Sequence, residues 1–573
     1  SNTKLGGNKT KPKDRMVSNH LLRLFLIINT AFFASLSLAI ARGTNTSTPV
    51  SPGTACSSIP TLYPDYCKSV LSNRTANVFD HGRFCVQKSI SQSQKFLNLV
   101  NKYLSDSSRG LSASAIGALE DCQSLVTTNI EFLTDSLQTV QSINQTLPSS
   151  KAEDVHTSLS AISTNLQTCR NGLDETGTSL SDVLNSMLND TKLFSVSLAF
   201  FTTGWVPTNG KKAVTWHDHH SAKKIPGIGN GSTPGTTGYG LIRRHLQTDG
   251  DTLLISGMVT VSQDGSGNFT TINESIAAVP KKSNGTNGYF LIYIAAGVYD
   301  EVISIPKEKT YLLMVGDGIN QTIITGNRSV VDGSTTFNSA TFAVVAPNFI
   351  AVGITFRNTA GAIKQQAVAV RNGADLSVFY SCSFEGYQDT LYTHSMRQFY
   401  SQCDVYGTVD YIFGNAAVVL QDCNLYPRLP TKGQYNTITA QGKTDPNMNT
   451  GTSIQNCTIT PAQELVFANY TVKTYLGRPW KNYSTTVVMQ SYMDGFIVPA
   501  GWHEWSGDFA LSTLYYGEYN NTGPGSNTTG RVTWAGYHVI TNATDAANYT
   551  VANLIQGDVW LPNTGVPYTS GFV

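Results

Sequence analysis

The feature that most constrains the fold of this chain is an internal repeat. Cys382-Ser-Phe-Glu-Gly386-Tyr-Gln-Asp389 aligns on Cys403-Asp-Val-Tyr-Gly407-Thr-Val-Asp410, with Cys, Gly and Asp at the same offsets and a period of 21 residues. Asp422-Cys423-Asn424-Leu425 opens a third copy, and Asn456-Cys457-Thr458-Ile459 reads as a further strand of the same kind. Around the repeat the sequence consists of short β-rich runs, such as 289–294, 311–315 and 340–345, broken by Gly, Asn and Asp. A period of this length, built from strands and turns without intervening helices, suits one coil of a parallel β-helix. Coils stack at strand spacing, about 4.8 Å, so residues one period apart lie side by side on one face.

That stacking sets Asp389 beside Asp410 and brings Gln366, 22 residues before Gln388, onto the same face one coil earlier. Two adjacent carboxylates repel if both ionise, so one stays neutral and the other charged. One acid with one base or nucleophile is what a hydrolysis needs. The two amides beside them can donate to a developing oxyanion. Arg478, in Tyr475-Leu-Gly-Arg-Pro-Trp480, is the candidate to hold the charged Asp, and Trp480 offers an apolar face to a sugar ring.

The 573 residues exceed one ordinary core, and the N-terminal part has a different character. Basic residues precede an apolar run over 24–40 that ends in Ala39-Ile40-Ala41, which reads as a secretory signal, or a retained signal-anchor, over 1–41. Residues 52–202 carry four amphipathic segments. One places Val155, Leu159, Ile162, Leu166, Cys169 and Leu173 on a single stripe; another runs through Ile116, Leu119, Cys122 and Val126. The expectation is an antiparallel four-helix bundle in which Cys122 and Cys169 can bridge two helices, while Cys56 and Cys67 can close a short loop. Cys85 is then left over. Residues 203–246 form a Gly, Thr, Pro and Lys linker that ends at Arg243-Arg244. Its His217-Asp218-His219-His220 cluster reads as a solvated loop, so no metal site is expected. From residue 247 onward there are 16 Lys and Arg against 23 Asp and Glu, a balance of −7, whereas the preceding part carries +8. These signs suggest attraction between the halves. Scattered basic residues without an aromatic platform exclude a nucleic-acid binder. Nine cysteines and many Asn-x-Ser/Thr sequons fit an oxidising, exported environment.

Two resemblances follow. The Cys56…Tyr63-Pro64…Cys67 opening, the helical pattern and the second Cys pair make 52–200 similar to the invertase and pectin methylesterase inhibitor family. Gly297-Val-Tyr-Asp-Glu301, Gln366-Ala-Val-Ala-Val370, Gly386-Tyr-Gln-Asp-Thr-Leu391, Gly407-Thr-Val-Asp-Tyr-Ile-Phe-Gly414 and Leu476-Gly-Arg-Pro-Trp480 resemble the signature segments of plant pectin methylesterases, in order. The departures are Val370 where Leu is usual and Tyr411 where Phe is common. The resemblance implies a right-handed parallel β-helix over 247–573 acting on methyl-esterified homogalacturonan, with no metal or organic cofactor. It implies Asp410 as nucleophile, Asp389 as acid and base, and Gln366 and Gln388 as oxyanion donors. Arg478 would hold Asp410, and Thr336, Gln366, Arg478 and Trp480 would contact substrate. It further implies a Cys403–Cys423 disulfide, leaving Cys382 and Cys457 without an assigned partner, and a monomer secreted to the plant cell wall and cut near Arg243-Arg244. Separate four-helix inhibitor proteins would be partners, with membrane contact only through the N-terminal signal. A pectate lyase or polygalacturonase on the same scaffold, and an inert scaffold carrying an inhibitor module, remain the competing readings at this stage.

Overall fold

The structure, a computed structural model, describes residues 47–106, 110–177, 180–207, 219–220 and 253–573. The signal segment and Arg243-Arg244 lie outside them. Among the described residues no helix is long and apolar enough to cross a membrane.

The N-terminal half holds two short helices, α1 (Pro52–Ser58) and α2 (Pro64–Leu71), followed by four long ones: α3 (Val78–Ser105), α4 (Ala113–Val140), α5 (Ser149–Glu175) and α6 (Ser181–Gly204). Pro at the first turn of α1 and α2 and the side-chain caps of Asn77 on α3 and Ser112 on α4 fix where these helices start. The Cys56–Cys67 disulfide ties α1 to α2, and Cys122–Cys169 ties α4 to α5. The disulfide closes the short segment 59–63 between the two helix ends, as expected. The apolar stripe read on α4 holds at Leu119, Cys122 and Val126, which are buried, and fails at Ile116, which is 40% exposed; Ala115, Ala118 and Asp121 share the buried face.

From Ile255–Val261 to Tyr537–Val539 the chain winds into a parallel β-helix with three sheets, of eleven, eight and seven strands, whose neighbours are successive coils. The repeat is in register: Ser383 pairs with Asp404, Asp404 with Asn424, and Asn424 with Thr458. At one corner, successive coils turn through a left-handed residue, namely Ser381, Gln402, Asp422, Asn456 and Gln490, with φ between 49° and 57°. The repeat glycine is explained by crowding, since a Cβ on Gly407 would lie 2.2 Å from the Cβ of Tyr411. Inside, aromatic rings stack coil upon coil, as in Phe379 on Tyr400 at 5.2 Å and 6°. His219–His220 forms a two-residue strand antiparallel to Tyr568–Thr569, where a loop was expected.

Two expectations are corrected here. Cys403 and Cys423 are not disulfide-bonded; they are buried free thiols, as are Cys85, Cys382 and Cys457. Each thiol points to backbone carbonyls, Cys403 Sγ to Phe379 O and Ser401 O at 3.4 and 3.3 Å, and Cys423 Sγ to Tyr400 O and Gln421 O at 3.6 and 3.3 Å. The second correction concerns charge. Residues 52–202 hold 10 Lys and Arg against 13 Asp and Glu, so the positive excess of the N-terminal part resides in its first 51 residues and in the linker. The bundle that packs on the β-helix is itself acidic, and it makes contact through its carboxylates: Asp154 to Arg397 at 2.9 Å, and Glu131 to Lys307.

Candidate active site

The coil register brings the predicted polar residues to one cavity of about 240 Å³, lined by Gln366, Gln388, Asp389, Asp410, Arg478 and Trp480 among others. Asp389 and Asp410 are placed alike. Strand 391–393 pairs with 412–414, Leu391 opposite Ile412, so the two acids stand one coil apart, each two residues upstream of a paired position. Both occupy left-handed backbone, φ 64° and 52°, which Asp tolerates better than most side chains. Both are more than nine-tenths buried.

Their surroundings differ. Asp410 is gripped by Arg478 in a two-point contact, Nε to Oδ1 at 2.8 Å and Nη2 to Oδ2 at 2.7 Å. Thr437 Oγ1 donates to Oδ1 at 2.6 Å. Burial alone would lower the Arg478 guanidinium, but its bonds to Asp410 outweigh burial and hold it above its ordinary pKa. Asp389 has no hydrogen bond to its carboxyl among the described residues. Burial, then the charge of Asp410, then that of Glu175, push its carboxyl well above the usual carboxylate range, against the pull of Arg478. Asp389 is therefore the carboxyl of the pair that favours the protonated form.

Gln366 and Gln388 both line the cavity, though not by the spacing first read. The ladder puts Ala367, not Gln366, beside Gln388, through Ala367 N–H to Gln388 O at 3.2 Å. Gln366 reaches the cavity after the left-handed Gln365, φ 58°, and its amide oxygen is buried without a partner. Trp480 packs across Phe413, ring centroids 5.9 Å apart, and near Tyr392. Thr336 sits on the opposite rim.

Several residues of the site escaped the sequence. Trp505 lies 4.3 Å above the Arg478 guanidinium, and Tyr435 Oη accepts from Arg478 Nη1 at 2.9 Å. Helix α5 closes the cavity from above with Thr168, Asn171, Gly172 and Glu175. Glu175 accepts from both the backbone N–H and Oγ1 of Thr336, at 2.9 Å each. Asp121 on α4 accepts from Thr335 Oγ1 at 2.7 Å and from Asn338 Nδ2 at 2.5 Å. Thr168 Oγ1 bonds His394 Nε2 at 2.9 Å, and burial, then Arg371, lower that imidazole to about 3, so it stays neutral. Contacts between halves separated by two hundred residues leave no periodic signal in a single sequence.

The family comparisons agree with this geometry. A family model described as Pectinesterase matches residues 258–558, and one described as Plant invertase/pectin methylesterase inhibitor matches 51–200. The chain is 57% identical over 531 residues to "Probable pectinesterase/pectinesterase inhibitor 20" of Arabidopsis thaliana, covering 91% of this chain and 94% of that relative. It is 51% identical over 437 residues to "Pectinesterase 2" of Citrus sinensis, covering 76% of this chain and 79% of that relative. Among solved structures it is similar to "Pectin methylesterase from Carrot", with a TM-score of 0.54 and 54% identity over 55% of this chain and 98% of that one. The lyase, glycosidase and inert-scaffold readings fall away, and the chain belongs to the pectinesterase family, carboxylic ester hydrolases of pectin methyl esters, with an inhibitor-family bundle on the same polypeptide.

Proposed function

We propose that this esterase works through a covalent intermediate on Asp410. Asp410 adds to the methyl-ester carbonyl carbon of a galacturonate unit, and the amides of Gln366 and Gln388 hold the oxyanion. The tetrahedral species collapses, the C–O bond to the methoxy group breaks, and Asp389 gives its proton to the departing methanol. Asp389, now ionised, takes a proton from water, whose oxygen attacks the Asp410 anhydride. Collapse returns the galacturonate carboxyl, which carries the second water proton and loses it to solvent, together with the Asp410 carboxylate and a protonated Asp389. No residue outside the cavity enters the proton account. Trp480 and Thr336 position the sugar.

The observation that carries this reading is the unequal treatment of two equivalent acids: Arg478 grips Asp410 at two points, while burial and the neighbouring charges push Asp389 toward its protonated form. The test is Asp410→Asn in the protein as plant secretory cells release it. Methanol release is expected to fall at least 10³-fold, on the order of losing a nucleophile, with an unchanged melting temperature. Near-normal turnover would defeat the covalent route.

The docked bundle supports a second element of the reading. With Glu175 seated on Thr336 and Thr168 at the cavity mouth, the bundle stands where the polymer must lie. The uncut chain is therefore held inactive, and cleavage at Arg243-Arg244 frees a secreted, wall-located enzyme acting on methyl-esterified homogalacturonan. Separate four-helix inhibitor proteins would use the same surface. Expression with Arg243→Ser and Arg244→Ser tests this: a full-length, fully active wall enzyme would overturn both the processing and the blocking.

A further inference from the structure

We infer that Thr437 is a positioning residue for the nucleophile: its hydroxyl fixes the left-handed turn of Asp410 and reserves the second carboxylate oxygen, Oδ2, for attack. The inference rests on the reading of Asp410 as the nucleophile.

The argument starts from the register. Leu391 pairs with Ile412, and Ile412 with Thr439. Two residues upstream of these stand Asp389, Asp410 and Thr437, three successive coils of one column. The column explains why two equivalent acids behave differently. The residue stacked after Asp389 is a carboxylate, Asp410. The residue stacked after Asp410 is a neutral hydroxyl. Asp389 therefore faces a negative charge where Asp410 faces a donor.

The backbone is treated differently too. The Asp389 N–H bonds an ordinary ladder carbonyl, Val409 O, at 3.1 Å. At the next coil the chain departs from the 21-residue period, with 27 residues from Asp410 to Thr437, and the Asp410 N–H bonds the Thr437 side chain instead, at 2.8 Å to Oγ1. A threonine hydroxyl has a single proton. Because Oγ1 accepts from the N–H of Asp410, that proton is free to turn onto the carboxylate of the same residue, whose Oδ1 lies 2.6 Å from Oγ1. The result is a closed ring, main chain to hydroxyl to side chain, that locks χ1 of Asp410 onto a left-handed backbone. Thr437 is wholly buried, so water does not compete for either bond.

The donor count then distinguishes the two oxygens. Oδ1 takes two donors, Thr437 Oγ1 and Arg478 Nε, whereas Oδ2 takes one, Arg478 Nη2. A carboxylate oxygen with two donors is the weaker nucleophile, and Oδ2 keeps the free lone pair. Thr437 thus selects the attacking atom.

The experiment compares Thr437→Val, which keeps shape and loses the hydroxyl, with Thr437→Ser, which keeps it. Both are assayed for methanol release as secreted, with Asp410→Asn alongside. Thr437→Val is expected to lose about 10- to 100-fold in kcat with KM within about twofold. Thr437→Ser is expected to restore kcat. If Thr437→Val does not accumulate as folded protein, Thr437→Cys, a weak donor, takes its place and is expected to show a smaller loss in the same direction. A kcat unchanged in Thr437→Val, or a serine variant as impaired as the valine one, would overturn the role of Thr437. If Asp410→Asn remained active, the reading of the nucleophile itself would fail, whatever Thr437 did.

Discussion

At the scale of single residues, the sequence pointed to the acids and amides because they recur with the coil, and it missed the groups that only tune them. Tyr411 is the instructive neighbour of Asp410. It stands where its family commonly has Phe, it is fully buried in the core of the β-helix, and its hydroxyl has no hydrogen-bond partner among the described residues. A buried donor left unsatisfied costs about 1–3 kcal/mol, and removing it without changing the ring recovers part of that. Tyr411→Phe is therefore expected to stabilise the β-helix by roughly 1 kcal/mol, a rise of about 2–4 °C in Tm, with methanol release per folded molecule unchanged. Calorimetry of the variant beside the parent checks this. A lower Tm would mean that the hydroxyl has a partner in solution.

At the scale of elements, the coil was legible wherever its period held and not where a loop interrupted it. Cys382, Cys403, Cys423 and Cys457 recur on every coil and stack in one column, continued by Ser491, whose hydroxyl accepts from Cys457 N–H at 3.0 Å. The loop between Pro427 and Asn436 breaks that period, so the third member of the acid column, Thr437, was invisible to spacing alone. On the bundle the reading of stripes favoured large side chains. Small ones, Ala115 and Ala118, form much of the buried face of α4, and this turns Asp121 toward the β-helix. The disulfide implied by resemblance is absent: both cysteines are buried free thiols, and each lies against backbone carbonyls of its own. On the unprocessed native chain, an alkylating reagent is expected to label none of the five free thiols. Denaturation without reductant should expose five of the nine cysteines, and added reductant all nine. Three labelled cysteines after denaturation would restore the Cys403–Cys423 bond.

At the scale of the whole molecule, the two halves meet through carboxylates that docking strips of water. Asp121 is pushed up to about 6, by burial first, while its bonds to Thr335 and Asn338 and the charge of Arg371 pull it down and Glu175 pushes it further up. Glu175 is raised as well, again by burial first, with Thr336 opposing and Asp174 adding to the rise. A group whose pKa is higher in the docked state takes up a proton on docking, so docking is tightest below the ordinary carboxylate range. It weakens as the pH rises through the docked value near 6 and levels off above it. Asp389 adds to the same trend, because the approach of Glu175 raises it. Helical and catalytic pieces of a chain nicked in the linker are therefore expected to co-elute at pH 4.5 and to separate at pH 7.5, with affinity differing by roughly 25-fold for one group shifted as Asp121 is. Asp121→Asn with Glu175→Gln places neutral amides at these contacts and should flatten most of that difference. Equal retention of the parent protein at the two pH values would show that the bundle is held by its other contacts, such as Arg397 with Asp154 and Thr168 with His394, and that acid plays no part in keeping the enzyme closed.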